Sequence, residues 1–182
     1  MIESIGPSTY EEYDRFVASH PRGHFMQTRM WGKHKSSWQW EGLLRRDAGG
    51  KVTGSFAVML RRVPGTPYSM MYGCRGPVCD TEDLETAREV LEGAKALAKK
   101  RRCYILKVDP DVKSDNAAFA ALLTELGFTP PPDHKNFESI QPRYVFRLDI
   151  DGRTEENLLN AFESKTRYNI RLAPRQGATV RV

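Results

Sequence analysis

The sequence predicts an α/β protein whose strands form one mixed sheet. Helix-like and strand-like segments follow in the order α, short α, β, β, β, α, β, α, β, α, which is typical of this class. A chain of 182 residues is long enough for one domain with a sizeable core and too short for two comfortable ones. Because neither an internal repeat nor a low-complexity linker divides the chain, we expect residues 1–182 to form a single domain.

Two helices are predicted before the first strand. Ser8, followed three residues later by Glu11, matches a capping box and begins a helix that ends near His20-Pro21. A short amphipathic helix follows within residues 24–38, where apolar side chains alternate with cations. The apolar members are Phe25, Met26, Met30 and Trp31, and the cations are Arg29, Lys33 and Lys35.

A meander of three strands is predicted next. Residues 39–46 and 51–63 have strand character, and the glycines of the turn at 47–50 permit the positive φ that a tight hairpin requires. A second turn at 64–67 contains two prolines and a glycine, and residues 69–72 form the third strand.

The clearest helix in the sequence begins at Thr81. Its acidic residues lie at the positive end of the helix dipole and its basic run, 99–102, lies at the negative end. One face is apolar and consists of Leu84, Ala87, Leu91, Ala94 and Leu97. A strand at 103–108 then ends at Asp109-Pro110, and a helix over 116–126 stops at Gly127.

The remaining residues predict a strand, a helix and the beginning of another strand. Residues 144–150 alternate between apolar and other side chains, and Thr154 caps a helix that contains Leu158, Leu159 and Phe162. Residues 177–182 resemble a strand that no further element follows. Either this strand completes the local sheet as an edge, or the chain is cut between two halves of a larger protein. Because domains rarely stop at such a point, we favour the second interpretation.

Composition restricts the class of protein. Hydrophobic residues make up 40% of the chain, and no apolar run is long enough to cross a bilayer. The N-terminal residues carry acids where a secretory signal needs a basic flank, so we expect a cytoplasmic protein. The net charge of +5 favours a phosphate-bearing partner. Cys74, Cys79 and Cys103 lack metal-site spacing with His34 or His134, so we predict reduced structural thiols and no metal site.

A glycine loop follows the third predicted strand, as Tyr72-Gly73-Cys74-Arg75-Gly76-Pro77. Three strands, a glycine loop and a helix form the layout of the N-acetyltransferase (GNAT-like) fold, in which loop amides hold the pyrophosphate of coenzyme A. Pro77 removes one amide donor, and the third glycine of the usual pattern is missing. The loop therefore argues against acetyl-CoA, and Gly73 and Gly76 are equally well explained by a tight turn and close packing.

A basic stripe is predicted near the end of the chain. Arg167, Arg171 and Arg175 are four residues apart, so a helix would place their guanidinium groups, which suit phosphate, on one side. The alternative is a solvated helix face whose cations pair with acids nearby in sequence. These acids are Asp149, Asp151, Glu155 and Glu156.

Four stretches agree in order and spacing with known family motifs. They are Gln27 through Trp31 to Lys35, Tyr72 through Gly76-Pro77-Val78, Lys107-Val108-Asp109-Pro110, and the run 165–173 with its lead-in Ile140-Gln141-Pro142 and the strand 145–149. In these stretches the chain resembles the FemABX family of bacterial aminoacyltransferases. The resemblance spans residues 27–177 and includes the K-T-R-x-N-I-R-x-A segment of that family.

The resemblance implies a fold and a reaction. Family members contain two GNAT-like domains, of which this chain resembles the first, and a C-terminal domain absent here would complete the protein. They move an amino acid from aminoacyl-tRNA to the stem peptide of a peptidoglycan precursor, either UDP-MurNAc-pentapeptide or lipid II. The resemblance implies no coenzyme A, no other cofactor and no metal. A lipid-linked precursor would bring the protein to the inner face of the membrane.

The resemblance also implies site residues. Lys35 matches a lysine that contacts the precursor's phosphate, Tyr104 and Asp109 match polar residues of the same cleft, and Trp38 lies beside them. For Tyr104 the alternative is a core aromatic residue on a buried strand, and for Asp109 it is an Asx turn before Pro110. Catalytic residues are expected in the second domain and none in this chain, so the chain alone should be inactive.

Lys165, Arg167 and Arg171 would lie near the boundary between the two domains, where they could contact tRNA or precursor phosphates. Two other functions remain open from the sequence. One is a free-standing GNAT enzyme that uses acyl-CoA, and the other is a non-enzymatic basic module that binds RNA or a partner protein through the arginine stripe.

Overall fold

A computed structural model describes residues 1–130, 146 and 148–180. The chain divides into two compact units, Met1–Asp133 and His134–Val182. None of the helices in the described residues is long and apolar enough to span a bilayer.

The first unit contains one β-sheet, and four α-helices lie between or after its strands in the sequence. Its strands are β1 (Ile2–Ser4), β2 (Gln39–Arg46), β3 (Val52–Arg62), β4 (Ser69–Cys74), β5 (Val78–Cys79) and β6 (Cys103–Asp109). Its helices are α1 (Tyr10–Ser19), α2 (Arg29–His34), α3 (Leu84–Lys100) and α4 (Ala117–Glu125). The meander, the long helix and the strand and helix after it are therefore confirmed.

The sheet is mixed, as predicted. Its order is β1-β2-β3-β4-β6, with antiparallel pairing from β1 to β4 and parallel pairing between β4 and β6. β5 pairs separately with β3, at Gly54 and Ser55. The parallel pair needs a crossover connection, and α3 lies within it.

One face of the sheet packs against α3 and α4. The predicted apolar stripe of α3 packs there, with Leu84 half-buried and its other four members buried. Alternate residues of β3 are buried with it because strand side chains alternate between faces. The buried strand residues include Phe56, Val58, Leu60 and Met71. The helix begins at Leu84 rather than at Thr81, since the Asp83 side chain accepts a hydrogen bond from the Thr86 amide (3.0 Å).

The second unit contains two helices in its described residues, α5 (Glu155–Ala161) and α6 (Ser164–Arg175). The hydroxyl of Thr154 accepts a hydrogen bond from the Asn157 amide (3.2 Å), which confirms the predicted cap. Phe162 and Glu163 adopt extended backbone angles, so the arginine stripe belongs to a separate helix.

Some sequence predictions were wrong. Ser8 does not cap α1; residues 7–9 form a 3-10 turn, and the hydroxyl of the actual N-cap residue, Thr9, accepts from the Gly6 amide (3.0 Å). Of the two predicted late strands, Phe146 and residues 148–150 and 177–180 lie in no strand, while 144–145, 147 and 181–182 lie outside the described residues. An alternating pattern does not specify the neighbouring strand that such a segment needs for its backbone hydrogen bonds.

Candidate functional site

The face of the sheet opposite α3 and α4 is rich in aromatic and sulfur-containing side chains. Met59, Tyr72 and Cys74 are buried there. Packed against them are the partly buried residues Met26, Trp31, Trp38 and Trp40. Trp31 belongs to α2 and Trp38 to the turn after it. This packing therefore places the segment that contains Lys35 and Trp38 on this face of the sheet, here called the second face.

The buried side chain of Gln27 joins the segment before α2 to β3 and to the end of β4. Its side-chain amide accepts from the Ala57 amide (2.8 Å) and donates to the carbonyls of Ala57 (3.1 Å) and Cys74 (2.6 Å). Ala57 lies between the part of β3 that pairs with β4 and the part that pairs with β5. The buried side chain therefore supplies the hydrogen bonds that a neighbouring strand would otherwise supply.

Helix α2 approaches the sheet closely enough to position Lys35. The Thr28 hydroxyl caps the helix by accepting from the Trp31 amide (3.3 Å). A Cβ atom on Gly32 would lie 2.6 Å from Trp40, so glycine is required for this contact. Lys35 follows as the C-cap residue, and its exposed ammonium lies 4.8 Å from the centre of the Trp31 ring.

Trp38 lies three residues beyond Lys35 and is joined to it through the backbone. Its amide donates to the Lys35 carbonyl (2.8 Å), and the Arg61 guanidinium lies 5.7 Å from its ring centre. Trp38 also lines a shallow groove of about 370 Å³ with Ser36, Ser37, Gln39, Leu60, Arg62, Ser69 and Arg101. The structure thus brings Lys35 and Trp38 together at one end of the aromatic face.

Asp109 connects the end of β6 to the loop after β4. The parallel register pairs it with Cys74. Its carboxylate accepts from the Tyr72 hydroxyl (2.9 Å) and the Arg75 amide (2.8 Å), and the Arg75 side chain lies 3.9 Å away. Burial raises the pKa of Asp109, and these donors oppose that rise. These donors lie on β4 and its loop, so the carboxylate holds that loop rather than forming the alternative Asx turn.

The glycine loop packs tightly. A Cβ atom on Gly73 would lie 2.2 Å from the Phe56 ring, and one on Gly76 would lie 2.6 Å from the Gln27 side chain. The interpretation that these glycines permit close packing is therefore confirmed. The Arg75 amide is already donated to Asp109, and Pro77 has no amide hydrogen, so two of the positions that could hold a pyrophosphate are not available as donors.

Tyr104 lies at a register irregularity of β6. Ser69 and Met70 of β4 pair with Cys103 and Ile105, which leaves Tyr104 as the extra residue of a bulge. Its side chain is 63% exposed, so the alternative of a core aromatic residue is wrong. Within the described residues no hydrogen bond or ring contact joins it to Lys35, Trp38 or Asp109.

In the second unit, α6 presents the predicted basic stripe. Arg167, Arg171 and Arg175 line a concave surface of about 360 Å³ together with Ser164, Tyr168 and Leu172. The Arg167 guanidinium donates to the Phe162 carbonyl. Lys165 does not line this surface, because it lies on another side of the helix. Across residues 148–180 no ion pair joins the stripe to the acids that precede it.

Two of the three cysteines, Cys74 and Cys79, are buried, and Cys103 is half-buried. Cys74, Cys79 and Cys103 are free, and burial raises the pKa of Cys74 to about 11 and that of Cys79 to about 12. In the part of the chain that the structure describes, no three His, Cys, Asp or Glu side chains are grouped to hold a metal ion.

Comparison with known proteins places this geometry in a family. A profile described as the FemAB family matches residues 8–182. The chain belongs to the FemAB family. The lipid II:glycine glycyltransferase of Staphylococcus aureus is 37% identical to it over an alignment that covers 94% of this chain and 42% of that protein. The chain thus spans about two fifths of the length of this FemAB relative.

Solved structures agree with the FemAB assignment and with the predicted fold. The crystal structure of FemX superposes with a TM-score of 0.78 at 34% identity, covering 94% of this chain and 43% of FemX. An aminoglycoside acetyltransferase from an uncultured soil metagenomic sample matches 82% of this chain with a TM-score of 0.53 at 16% identity, which shows the fold alone. The GNAT-like fold is therefore confirmed.

Three residues of this FemAB chain take part in the site without having been predicted as site residues. They are Gln27, Tyr72 and Arg75. Gln27 and Tyr72 are the first residues of two of the family motifs, and this position is the sequence feature that could have indicated their role. The contact between Arg75 and Asp109 depends on the register of β4 against β6, and no local sequence pattern determines that register.

Proposed function

We propose that the protein containing this chain is an aminoacyltransferase of peptidoglycan synthesis. It moves an amino acid from aminoacyl-tRNA to the stem peptide of a precursor, either UDP-MurNAc-pentapeptide or lipid II. The observation that supports this most is the 37% identity, over 94% of the chain, to a lipid II:glycine glycyltransferase. The chain would supply part of the precursor cleft, and a second domain would supply the rest.

The second face of the sheet has the chemistry that such a precursor requires. The exposed ammonium of Lys35 suits a diphosphate, and the indole of Trp38 offers a flat surface to a sugar or a nucleoside. Tyr104 adds an exposed hydroxyl. Asp109 would act by holding Tyr72 and the loop after β4 in place.

Acyl-CoA is a weaker candidate for the donor. The GNAT-like fold is shared with acetyltransferases, but the loop that would hold the coenzyme's pyrophosphate lacks the free amides at Arg75 and Pro77. We therefore propose aminoacyl-tRNA as the donor and no cofactor. The basic stripe of α6 suits the phosphates of tRNA, and a cytoplasmic protein that works at the inner face of the membrane would meet both substrates.

The test is kinetic and uses the full-length protein with the soluble precursor UDP-MurNAc-pentapeptide. We expect Lys35→Ala to raise KM for the precursor roughly tenfold, the size expected for a lost charge-assisted contact, and to change kcat less. Lys33→Ala is the matched control, because Lys33 is an exposed lysine on the same short helix, and it should leave both constants unchanged.

Equal kinetics for Lys35→Ala and wild type would remove Lys35 from the site. A thermal-shift experiment separates the acyl-CoA alternative, because a ligand that binds the native state raises the melting temperature. A clear shift with acetyl-CoA, together with no transfer from aminoacyl-tRNA, would overturn the proposed function.

The donor proposal has its own test in tRNA binding. Arg167→Ala and Arg171→Ala should each weaken tRNA binding by roughly fivefold at low salt and less at high salt, because phosphate contacts depend on salt. Lys165→Ala should have a smaller effect, since Lys165 lies off the stripe. Equal effects of all three changes would show that position on the helix is irrelevant.

A further inference from the structure

The segment from His20 to Trp40 has an unusual composition. It contains all three tryptophans and three of the four histidines of the chain, together with four arginine or lysine residues, but no aspartate or glutamate. The segment forms a 3-10 turn (Phe25–Gln27), followed by α2 and the turn that leads to β2. A stretch with this charge imbalance concentrates positive potential on the surface where it lies.

Two large apolar side chains of this segment lie in water. Phe25 is 60% exposed and Met30 is 76% exposed. The Phe25 ring meets the Trp31 ring edge-on at 5.5 Å, and the His34 ring lies 5.5 Å from Trp31. These residues and two lysines belong to one short segment and are here called the α2 face: Phe25, Met30, Trp31, Lys33, His34 and Lys35.

Within the described residues, the two lysines of the α2 face have no acidic partner. Arg29 is paired with Asp14 (2.6 Å), and Arg22 donates to the Asp111 carbonyl. Lys33 and Lys35 are exposed, and within residues 1–130 neither forms an ion pair. Because residues three and four apart share a helix side, Lys33 lies directly beside Met30.

We propose that the α2 face binds the surface of an anionic lipid bilayer. Aromatic and apolar side chains partition into the headgroup region, and nearby lysines are attracted to anionic lipids. RNA could use Lys33 and Lys35, and a base could stack on Phe25, but the exposed aliphatic side chain of Met30 gives RNA no comparable contact. The combination therefore favours lipid. This contact goes beyond the proposed function, since it involves the bilayer itself and requires no precursor.

The experiment measures binding of the full-length protein to phosphatidylglycerol vesicles, with phosphatidylcholine vesicles as the neutral comparison and no precursor in either. Wild type should bind the anionic vesicles more tightly. Phe25→Ser combined with Met30→Ser should weaken that binding roughly tenfold or more, because both side chains lose burial in the interface. Lys33→Ala should weaken it roughly fivefold at low salt and less at high salt.

Tyr68→Ser is the matched control. Tyr68 is 53% exposed in the turn between β3 and β4. Within the described residues no hydrogen bond or ring contact joins it to the α2 face, so its removal should leave vesicle binding unchanged. Phe25→Leu combined with Met30→Leu keeps apolar side chains and should retain binding within about threefold, which controls for folding defects in the serine variant.

Four results would overturn the proposal. They are equal binding of wild type to both vesicle types, unchanged binding by the serine variant, loss of binding by the leucine variant, and loss of tRNA binding by Lys33→Ala with vesicle binding intact. If the serine variant has a lower melting temperature but unchanged vesicle binding, another part of the protein covers the α2 face, and the proposal is likewise wrong. Lys33→Ala should leave transfer to UDP-MurNAc-pentapeptide unchanged while weakening vesicle binding, so failure of this proposal is distinct from failure of the proposed function.

Discussion

The two faces of the sheet differ in what they bury. The face against α3 and α4 buries aliphatic side chains and Phe56 and Phe119, and among the described residues no carboxylate is buried there. The opposite face buries Tyr72 and Cys74 under three tryptophans and includes the half-buried Asp109 at its edge. The first face therefore contributes mainly hydrophobic stability, while the second retains polar groups that are costly to bury and useful for binding.

The difference teaches which substitutions should affect binding. A change on the α3 face should alter stability without altering the affinity for substrate. A change on the second face should alter both, because the same side chains that pack there also position Lys35, Trp38 and the loop after β4.

The largest effect is expected for Gln27→Leu, which tests the link between packing and site. The substitution leaves the Ala57 amide and carbonyl and the Cys74 carbonyl buried without partners, and it should lower the free energy of unfolding by about 4 kcal/mol. Chemical denaturation of the full-length protein measures this loss. The same change at exposed Gln39 should cost less than about 0.5 kcal/mol. We call the three hydrogen bonds of the Gln27 side chain the Gln27 clamp. Equal losses of stability at positions 27 and 39 would contradict its contribution.

Leu91→Ala tests the α3 face alone. Leu91 is fully buried against the sheet, so the cavity should lower the free energy of unfolding by about 3 kcal/mol. At temperatures where the variant is folded, KM for the precursor should equal that of wild type. Leu91→Met conserves volume and should cost less than about 1.5 kcal/mol. A raised KM would show that the two faces are not independent.

Asp109→Asn should have the smallest effect and the most specific one. An amide still accepts from the Arg75 amide, so the loop should keep its structure. Burial raises the pKa of Asp109 in the folded state, which means that the folded protein binds the proton more readily than the unfolded chain. Wild type should therefore lose stability relative to Asp109→Asn as the pH rises above 3.8 through the raised folded pKa.

Melting temperatures of the two proteins across that pH range measure the difference. A difference in melting temperature that stays constant with pH would show that the Asp109 carboxylate is not desolvated. A large rise in KM for Asp109→Asn, with the fold intact, would assign Asp109 a direct contact with substrate in addition to its contact with the loop.

Sequence periodicity predicted most of the fold. The apolar stripe of α3 and the turn between β2 and β3 are local signals, and both were confirmed. β1 and β5 have three and two residues, too few for a period to be recognised. The end of α5 at Ala161 was also missed, because the helical character of residues 164–175 continues beyond it.

The candidate site was predictable only in part. Lys35 and Trp38 are close because they are close in sequence. The contact between Asp109 and Tyr72 joins residues 37 positions apart, and it depends on the parallel pairing of β4 and β6. The roles of Lys35, Trp38, Tyr104, Asp109, Lys165, Arg167 and Arg171 in binding, and the second domain, stay predictions.

The clamp formed by Gln27 has a consequence for how this part of the sheet can change. Backbone groups that nearly every residue carries form an ordinary ladder, so most substitutions leave it intact. A ladder position that one amide side chain closes is opened by replacing that single residue. A substitution at Gln27 can thus change the hydrogen bonding in the gap between β4 and β5 while the backbone around that gap keeps its course. Variation at one buried position could reshape the floor of the cleft while the surrounding strands keep their register.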